Sequence, residues 1–292
     1  MGYAHIDNLY KNQSVLMFRE CYALEKIHGT SAHLLWKDGA LTYSPGGESA
    51  ERFRALFDDG ELREAFAAIG HPDVTVYGEA YGGKQQGQSW RYGKDLRFVV
   101  FEVQVSEAWL SVPNAADVAE KLGLEFVHYR RIATDLEAVD AERDAPSGQA
   151  RRNGVKGDQP REGVVLRPLE EMVKGNGARI IAKHKRDEER ETKTARAVDP
   201  AKLEVMRNAQ AIADEWVTPT RLVHVLDKLQ ASGVPTDMEH TPDVIRSMIE
   251  DVTREAAGEI EDSKDARKAI GAATAKLFKA HVQNAFREEA PC

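Results

Sequence analysis

In the stretch Leu24-Glu25-Lys26-Ile27-His28-Gly29-Thr30-Ser31 a lysine sits on an apolar, strand-like run immediately before a glycine turn. An apolar setting favours the uncharged amine, and a free amine is what attacks an electrophilic phosphorus, so Lys26 is the candidate nucleophile. Gly78-Glu79-Ala80-Tyr81-Gly82-Gly83 puts a carboxylate at a strand end beside glycines, where it can reach a ligand hydroxyl. Arg161-Glu162-Gly163 sets a second carboxylate at the mouth of the apolar run Val164-Val165-Leu166. In Arg179-Ile180-Ile181-Ala182-Lys183-His184-Lys185 the two-residue period of a strand turns Lys183 and Lys185 to one face. Two ammonium groups side by side repel, so in a cleft they need an anion, and a nucleotide phosphate supplies one. Each stretch alone also reads as ordinary structure: an edge-strand lysine, a solvated turn glutamate, gatekeeper lysines on an exposed strand.

The elements that would position these groups follow from periodicity. Cys21 to Ile27 and His33 to Trp36 read as two strands joined by a tight turn at Gly29. Asp38-Gly39 between apolar runs signals a hairpin into Ala40-Leu41-Thr42-Tyr43, so the early chain is expected to be an antiparallel meander. Over Glu48 to Ile69, Phe53, Leu56, Phe57, Leu62, Phe66 and Ile69 recur at helical spacing, with a break near Asp58-Asp59-Gly60. Val74 to Tyr77 returns to strand, Lys84 to Asp95 reads as a polar loop, and Phe98-Val99-Val100-Phe101-Glu102-Val103 as a strand buried on both faces. Phe98 is either ordinary core or a surface on which a purine stacks. Helices are expected over Asn114 to Leu122 and Asp135 to Asp144. Pro146 to Pro160 is a basic loop carrying Arg151, Arg152 and Lys156, either solvated or in contact with phosphate backbone. Met1 to Phe18 gives no strong signal.

Strand character ends at Asp187. Asp199-Pro200, Thr218-Pro219 and Thr241-Pro242 each offer a capping residue followed by proline at the first helical position. A fourth helix is expected from about Asp262 to Glu289, with Ile270, Ala273, Leu277, Ala280 and Phe286 on its apolar stripe. Two domains result, residues 1–193 and a helical 194–292, joined through the charged run Arg186 to Arg196.

The chain has 292 residues, 42% hydrophobic and 30% charged, which fits a folded globular protein. The sequence shows neither a membrane-length apolar run nor a signal peptide, and a cytoplasmic location is expected. Cys21 and Cys292 are too few and too far apart for a disulfide framework or a zinc site. A net charge of −8 argues against wholesale electrostatic binding of nucleic acid but leaves room for a local basic groove.

Taken in order, Glu25-Lys26-Ile27-His28-Gly29-Thr30, Gly78-Glu79, Phe98-Val99-Val100-Phe101-Glu102, Glu162-Gly163-Val164-Val165-Leu166-Arg167-Pro168 and Lys183-His184-Lys185 resemble the nucleotidyl-transferase motifs of the RNA ligase 2 family. The resemblance spans roughly Cys21 to Lys185. Two departures stand out. Ser31 occupies a position where the family usually has asparagine, and Ser44-Pro45-Gly46-Gly47 lacks the arginine expected in the second hairpin, a role that neither Arg52 nor Arg54 is assigned.

The resemblance implies an α+β fold: an antiparallel-sheet nucleotidyl-transferase (ATP-grasp-like ligase) domain with a small all-helical C-terminal domain. It implies that Lys26 forms a phosphoramidate with AMP, that Glu79 holds the ribose and that Phe98 stacks on adenine. Glu162 would act with a divalent metal, Mg2+ or Mn2+, and Lys183 and Lys185 would contact phosphates. Glu25, Ile27, His28 and Thr30 would line the nucleotide site, with His28 and Thr30 also facing the strand end. The expected activity is ATP-dependent sealing of 3′-hydroxyl and 5′-phosphate RNA ends, with a nicked duplex as partner, no membrane and no evident protein partner. An ATP-dependent DNA ligase of atypical build and a non-catalytic RNA-end-binding protein are the alternatives.

Overall fold

The computed structural model describes residues 3–174, 177–189 and 197–289. They fall into two compact units that divide between Val198 and Asp199. The boundary expected between residues 193 and 194 lies outside the described residues, as do Cys292 and the side chain of Phe286.

The first unit holds strands β1 (Glu20–Lys26), β2 (Thr30–Lys37), β3 (Ala40–Ser44), β4 (Asp73–Gly82), β5 (Leu96–Val105), β6 (Ala108–Trp109), β7 (Tyr129–Ala133), β8 (Gly163–Pro168) and β9 (Ala182–Lys185). Its helices are α1 (Ala50–Arg54), α2 (Asp59–Ile69), α3 (Ser89–Tyr92), α4 (Val112–Lys121), α5 (Leu136–Asp144) and α6 (Gly148–Arg152). The strands form two antiparallel sheets, one in the order β7-β1-β8-β9 and one in the order β3-β2-β4-β5-β6.

The expected continuous meander is corrected by this topology. β2 and β3 do form the hairpin, with Asp38 and Gly39 both at positive φ as a type I′ turn requires. β1 and β2, however, lie in different sheets. Both edges of β1 are taken by β7 and β8, and both edges of β2 by β3 and β4, so neither can pair with the other. Ile27-His28-Gly29 is therefore a crossover between sheets. It runs so close to β4 that a Cβ on Gly29 would sit 2.3 Å from the Ala80 carbonyl oxygen. Only glycine fits this passage.

One face of the five-stranded sheet packs under α1, α2 and α4. Phe53, Leu62, Phe66, Ala115 and Ala119 meet Leu34, Trp36, Val76 and Val100 there, with Trp36 and Phe66 stacked at 5.6 Å. The break in the Glu48 to Ile69 pattern is where α1 ends and Asp58 caps α2, accepting from the N–H groups of Gly60 and Glu61. A second core gathers Leu24, Ile27, Tyr81, Tyr92, Val99, Val127 and Ala150. Two expected loops contain short helices. Lys84 to Asp95 holds α3, whose Arg91 and Tyr92 are buried, and Pro146 to Pro160 holds α6, capped by Ser147. The strand expected over Arg179 to Lys185 is confined to β9.

The second unit is helical: α7 (Pro200–Trp216), α8 (Pro219–Ala231), α9 (Thr241–Glu255) and α10 (Lys264–Glu289). Asp199 and Thr218 cap α7 and α8 as their proline-following positions predict. At α9 the cap shifts: Asp237 caps a preceding 3-10 turn over Met238–His240, and Thr241 is already helical, its hydroxyl donating to the Met238 carbonyl. The buried stripe of α10 passes through Ile270, Thr274 and Phe278, whereas Ala280 is exposed.

The two sheets of the first unit are tied by a buried charge network. Arg167 of β8 approaches Glu102 of β5 at 2.9 Å, Arg179 donates to the second Glu102 oxygen at 2.9 Å, and Glu171 receives both arginines. Arg167 also donates to the Leu110 carbonyl at 2.6 Å. Removing one partner of such a network leaves buried charge without compensation, which costs about 3–5 kcal/mol. Glu102→Ala should therefore lower the urea midpoint of the first unit sharply, whereas Arg131→Ala, which breaks only an exposed pair with Glu20, should leave it nearly unchanged. Equal midpoints for both variants would show that the network does not hold the sheets together.

Candidate active site

Lys26 is the last residue of β1, the strand flanked on both sides in its sheet. The register aligns Lys26 with Gly163 of β8, and Gly163 with Lys185 of β9. Two lysines thus flank a residue that has no side chain, and Glu162 precedes it. The Glu162 carboxylate fills the space: Lys26 Nζ donates to Oε2 at 3.0 Å and Lys185 Nζ approaches Oε1 at 2.9 Å. Glu162 is only 3% exposed, against 24% for Lys26 and 12% for Lys185. Burial pushes the Glu162 carboxyl up, but the two ammonium groups outweigh it and hold the group below the usual carboxylate range.

Glu79 reaches the same neighbourhood from β4. Its Oε1 accepts from the Gly29 N–H at 3.1 Å, which fixes the crossover that follows Lys26. Burial, aided by the negative charge of Glu162 and opposed by Lys26, pushes its carboxyl up to about 7. Near neutral pH Glu79 is about half protonated, so the cluster of Lys26, Lys185, Glu162 and Glu79 carries a small excess of positive charge. Such a cluster attracts an anion, and a neutral carboxyl can donate to as well as accept from a hydroxyl.

The remaining candidates divide by what they touch. Lys183 pairs with Val165, one row along the face from Lys185. The Glu25 side chain turns away from Lys26. It accepts from the Ser147 hydroxyl at 2.5 Å and from the N–H groups of Gly148 and Gln149, at the start of α6. Ile27 is buried core. His28 donates its N–H to the Tyr92 hydroxyl at 3.2 Å, and its ring faces Glu189. Thr30 Oγ1 accepts from the Gly47 N–H at 2.9 Å, tying the motif to the glycine loop. Phe98 aligns with Ala80 and packs edge-on against Phe53 and Phe57, its ring so close over Gly78 that a Cβ there would lie 2.4 Å from Cζ. No described contact brings Phe98 to the lysine cluster. Arg52 and Arg54 pair with Glu48 and Asp59.

A divalent ion can be tested against these donors. No group of three or more His, Cys, Asp or Glu side chains placed to hold a metal occurs among the described residues. Glu162, charged and between the two lysines, fits an ion bound by one carboxylate together with nucleotide phosphates and water, the manner usual for Mg2+. Sequence reasoning did not single out Arg91, Tyr92 or Glu189 beside His28. Arg91 lies in a helix of four residues, too short for any periodic signal, and Glu189 lies in a charged run that reads as a linker.

The RNA ligase family model matches residues 19–185. The chain belongs to the RNA ligase family. No match is found among curated proteins. Among solved structures, a Naegleria gruberi RNA ligase with PPi is similar with a TM-score of 0.50 and 15% identity, covering 64% of this chain and 56% of that one. A mutant of that ligase with AMP and Mn gives 0.51 and 15%, over 65% of this chain and 59% of that one. At such identity the likeness shows the fold, and the chain spans less than two thirds of those chains. This family member has the α+β nucleotidyl-transferase fold, with a helical unit following it.

Glu79 generates a pH prediction. Its folded carboxyl titrates above the ordinary value of 4.5, at about 7, so the folded state prefers the protonated form. The stability this contributes is complete below about 4.5 and is lost as pH rises through about 7. Glu79→Gln removes that loss and should be more stable than the parent by on the order of 1–3 kcal/mol at pH 8, with little difference at pH 4.5. Urea titrations at the two pH values check it; an advantage that does not grow with pH contradicts the assignment.

Proposed function

We propose that this RNA ligase family member is an ATP-dependent enzyme that seals 3′-hydroxyl and 5′-phosphate RNA ends through a lysyl-AMP intermediate on Lys26. The observation that carries the reading is the Glu162 carboxylate shared by Lys26 and Lys185. An amine, a second cation and a carboxylate side by side suit a triphosphate, which supports the reading.

Lys26 first gives up a proton to solvent, and its free amine attacks the α-phosphorus of ATP. An N–P bond forms, the bond from that phosphorus to the bridging oxygen breaks, pyrophosphate leaves, and the nitrogen loses a second proton to solvent. A 5′-phosphate oxygen of the RNA then attacks the AMP phosphorus, the N–P bond breaks, and the departing nitrogen takes up protons from solvent to restore Lys26. Finally the 3′-hydroxyl oxygen attacks the 5′-phosphorus, its proton is lost, and AMP departs. Lys183 and Lys185 neutralise phosphate charge that builds up in each displacement. Glu79 holds a ribose hydroxyl, Phe98 offers a face for adenine, and His28 and Thr30 line the nucleotide and strand end. Glu25 serves by anchoring the strand that presents Lys26. Glu162 with the phosphates would hold Mg2+ or Mn2+, which when bound adds charge neutralisation. The Mn and ATP or AMP named with the similar Naegleria gruberi structures agree with this.

Residues 1–193 form the adenylation domain in this reading, and 194–292 a helical domain that holds the two strand ends in register. Repair of nicks in duplex RNA, in the cytoplasm, is the role that fits.

Incubation with α-labelled ATP and magnesium should label the full chain, and both Lys26→Ala and Lys26→Arg should abolish the label, since a guanidinium stays protonated. Matched nicked duplexes with RNA or DNA at the 3′-hydroxyl side separate the remaining readings. RNA should be sealed at least tenfold faster. Equal sealing of DNA contradicts RNA specificity, and RNA binding without labelling contradicts the enzyme.

A further inference from the structure

Arg91 holds more buried hydrogen-bonding capacity than its partners use. The residue is 2% exposed, and its guanidinium lies 4.8 Å from the Trp90 ring centroid. One nitrogen, Nη2, donates to Glu189 Oε1 at 2.5 Å. Nε and Nη1 meet no acceptor in hydrogen-bonding geometry. The second Glu189 oxygen lies 3.2 Å from His28 Nδ1, a buried atom that also lacks hydrogen-bonding geometry. His28 is two residues from Lys26, and its N–H donates to Tyr92, the neighbour of Arg91. Two nitrogen-bearing side chains therefore converge on one carboxylate beside the nucleophile.

A buried guanidinium with idle N–H groups is costly, and a carboxylate with two oxygens, shared with a histidine, satisfies it only in part. A phosphate group offers three terminal oxygens and up to two charges, and the planar arginine fork matches it in bidentate fashion. We propose that Arg91 and His28 form a phosphate-binding subsite beside Lys26, and that Glu189 occupies it as an internal competitor which an incoming phosphate displaces. The site stands on its own geometry; the identity of its phosphate rests on the ligase reading. That phosphate is either the pyrophosphate end of the nucleotide or the 5′-phosphate of the strand.

The test titrates inorganic pyrophosphate into the full chain by calorimetry, without nucleotide or RNA and at fixed ionic strength. Glu189→Gln should tighten binding about tenfold and Arg91→Gln should weaken it about tenfold, the size expected for one charge-assisted contact. Glu188→Gln removes an equal charge from a neighbour that pairs with Arg186, and should change affinity less than about twofold. Unchanged or weaker binding in Glu189→Gln, a gain of the same size in Glu188→Gln, or unchanged binding in folded Arg91→Gln overturns the subsite. The gain in Glu189→Gln keeps the test decisive even if Arg91→Gln misfolds, because misfolding does not tighten binding. The KM for ATP in lysyl-AMP formation and the rate of AMP transfer to 5′-phosphorylated RNA then distinguish the two sources. The quantity that the two variants move in opposite directions identifies the phosphate, and movement in neither overturns the link to the reaction. A chain that shows the pyrophosphate effects but never labels with AMP would refute the ligase reading and leave the subsite standing.

Discussion

The Glu162 carboxylate accepts Lys26 on one oxygen and Lys185 on the other, and this shared pairing ties the end of β1 to the end of β9 across Gly163. Without it, two ammonium groups in a partly closed site would repel by on the order of 3 kcal/mol at an effective dielectric constant of about 20. The geometry around the pair serves to keep it in place. β7 and β8 hold β1 from both sides, Glu25 anchors it to the start of α6, and Glu79 grips the turn after it through the Gly29 N–H. Glu162 neutralises one positive charge of two, which leaves the site attractive to a phosphate. A second fully ionised carboxylate would cancel the charge that remains. The raised titration of Glu79, at about 7, lessens that cancellation.

The same balance of buried charge recurs at the join between the sheets. Glu102 of one sheet, Arg167 of the other, and Arg179 and Glu171 from the segment between β8 and β9 compensate one another. This is a structural network in which two arginines and two carboxylates balance in charge. Arg91 differs, because the one carboxylate it pairs with, Glu189, is shared with His28. The contrast separates charge that holds the fold from charge available to a ligand.

The sequence made the main candidate residues legible because each lies in strong local context. Lys26 sits on an apolar run before a glycine, Glu162 precedes a continuous apolar strand, and Lys183 and Lys185 obey a two-residue period. The sheet switch at Gly29 was not legible, since local pattern cannot say which strand edges are already paired. β7 escaped notice because Tyr129–Ala133 is an edge strand with Arg130 and Arg131 exposed, which breaks the apolar alternation. The direction of Glu25 was hidden for a different reason: adjacent residues of a strand face opposite ways, so motif proximity to Lys26 does not bring its side chain to the same pocket. In the helical unit the proline-marked starts of α7 and α8 were plain, while the start of α9 moved because Asp237 supplied an earlier cap.

In the proposed function these features present one nitrogen, that of Lys26, to phosphorus. The most direct measurement is the location of the adduct: incubate the full chain with ATP and magnesium, digest it, and map the AMP by mass spectrometry under conditions that preserve phosphoramidates. The account predicts AMP on the peptide bearing Lys26 alone. AMP on Lys183 or Lys185, or a ligation-competent chain with no adenylated peptide, would contradict it.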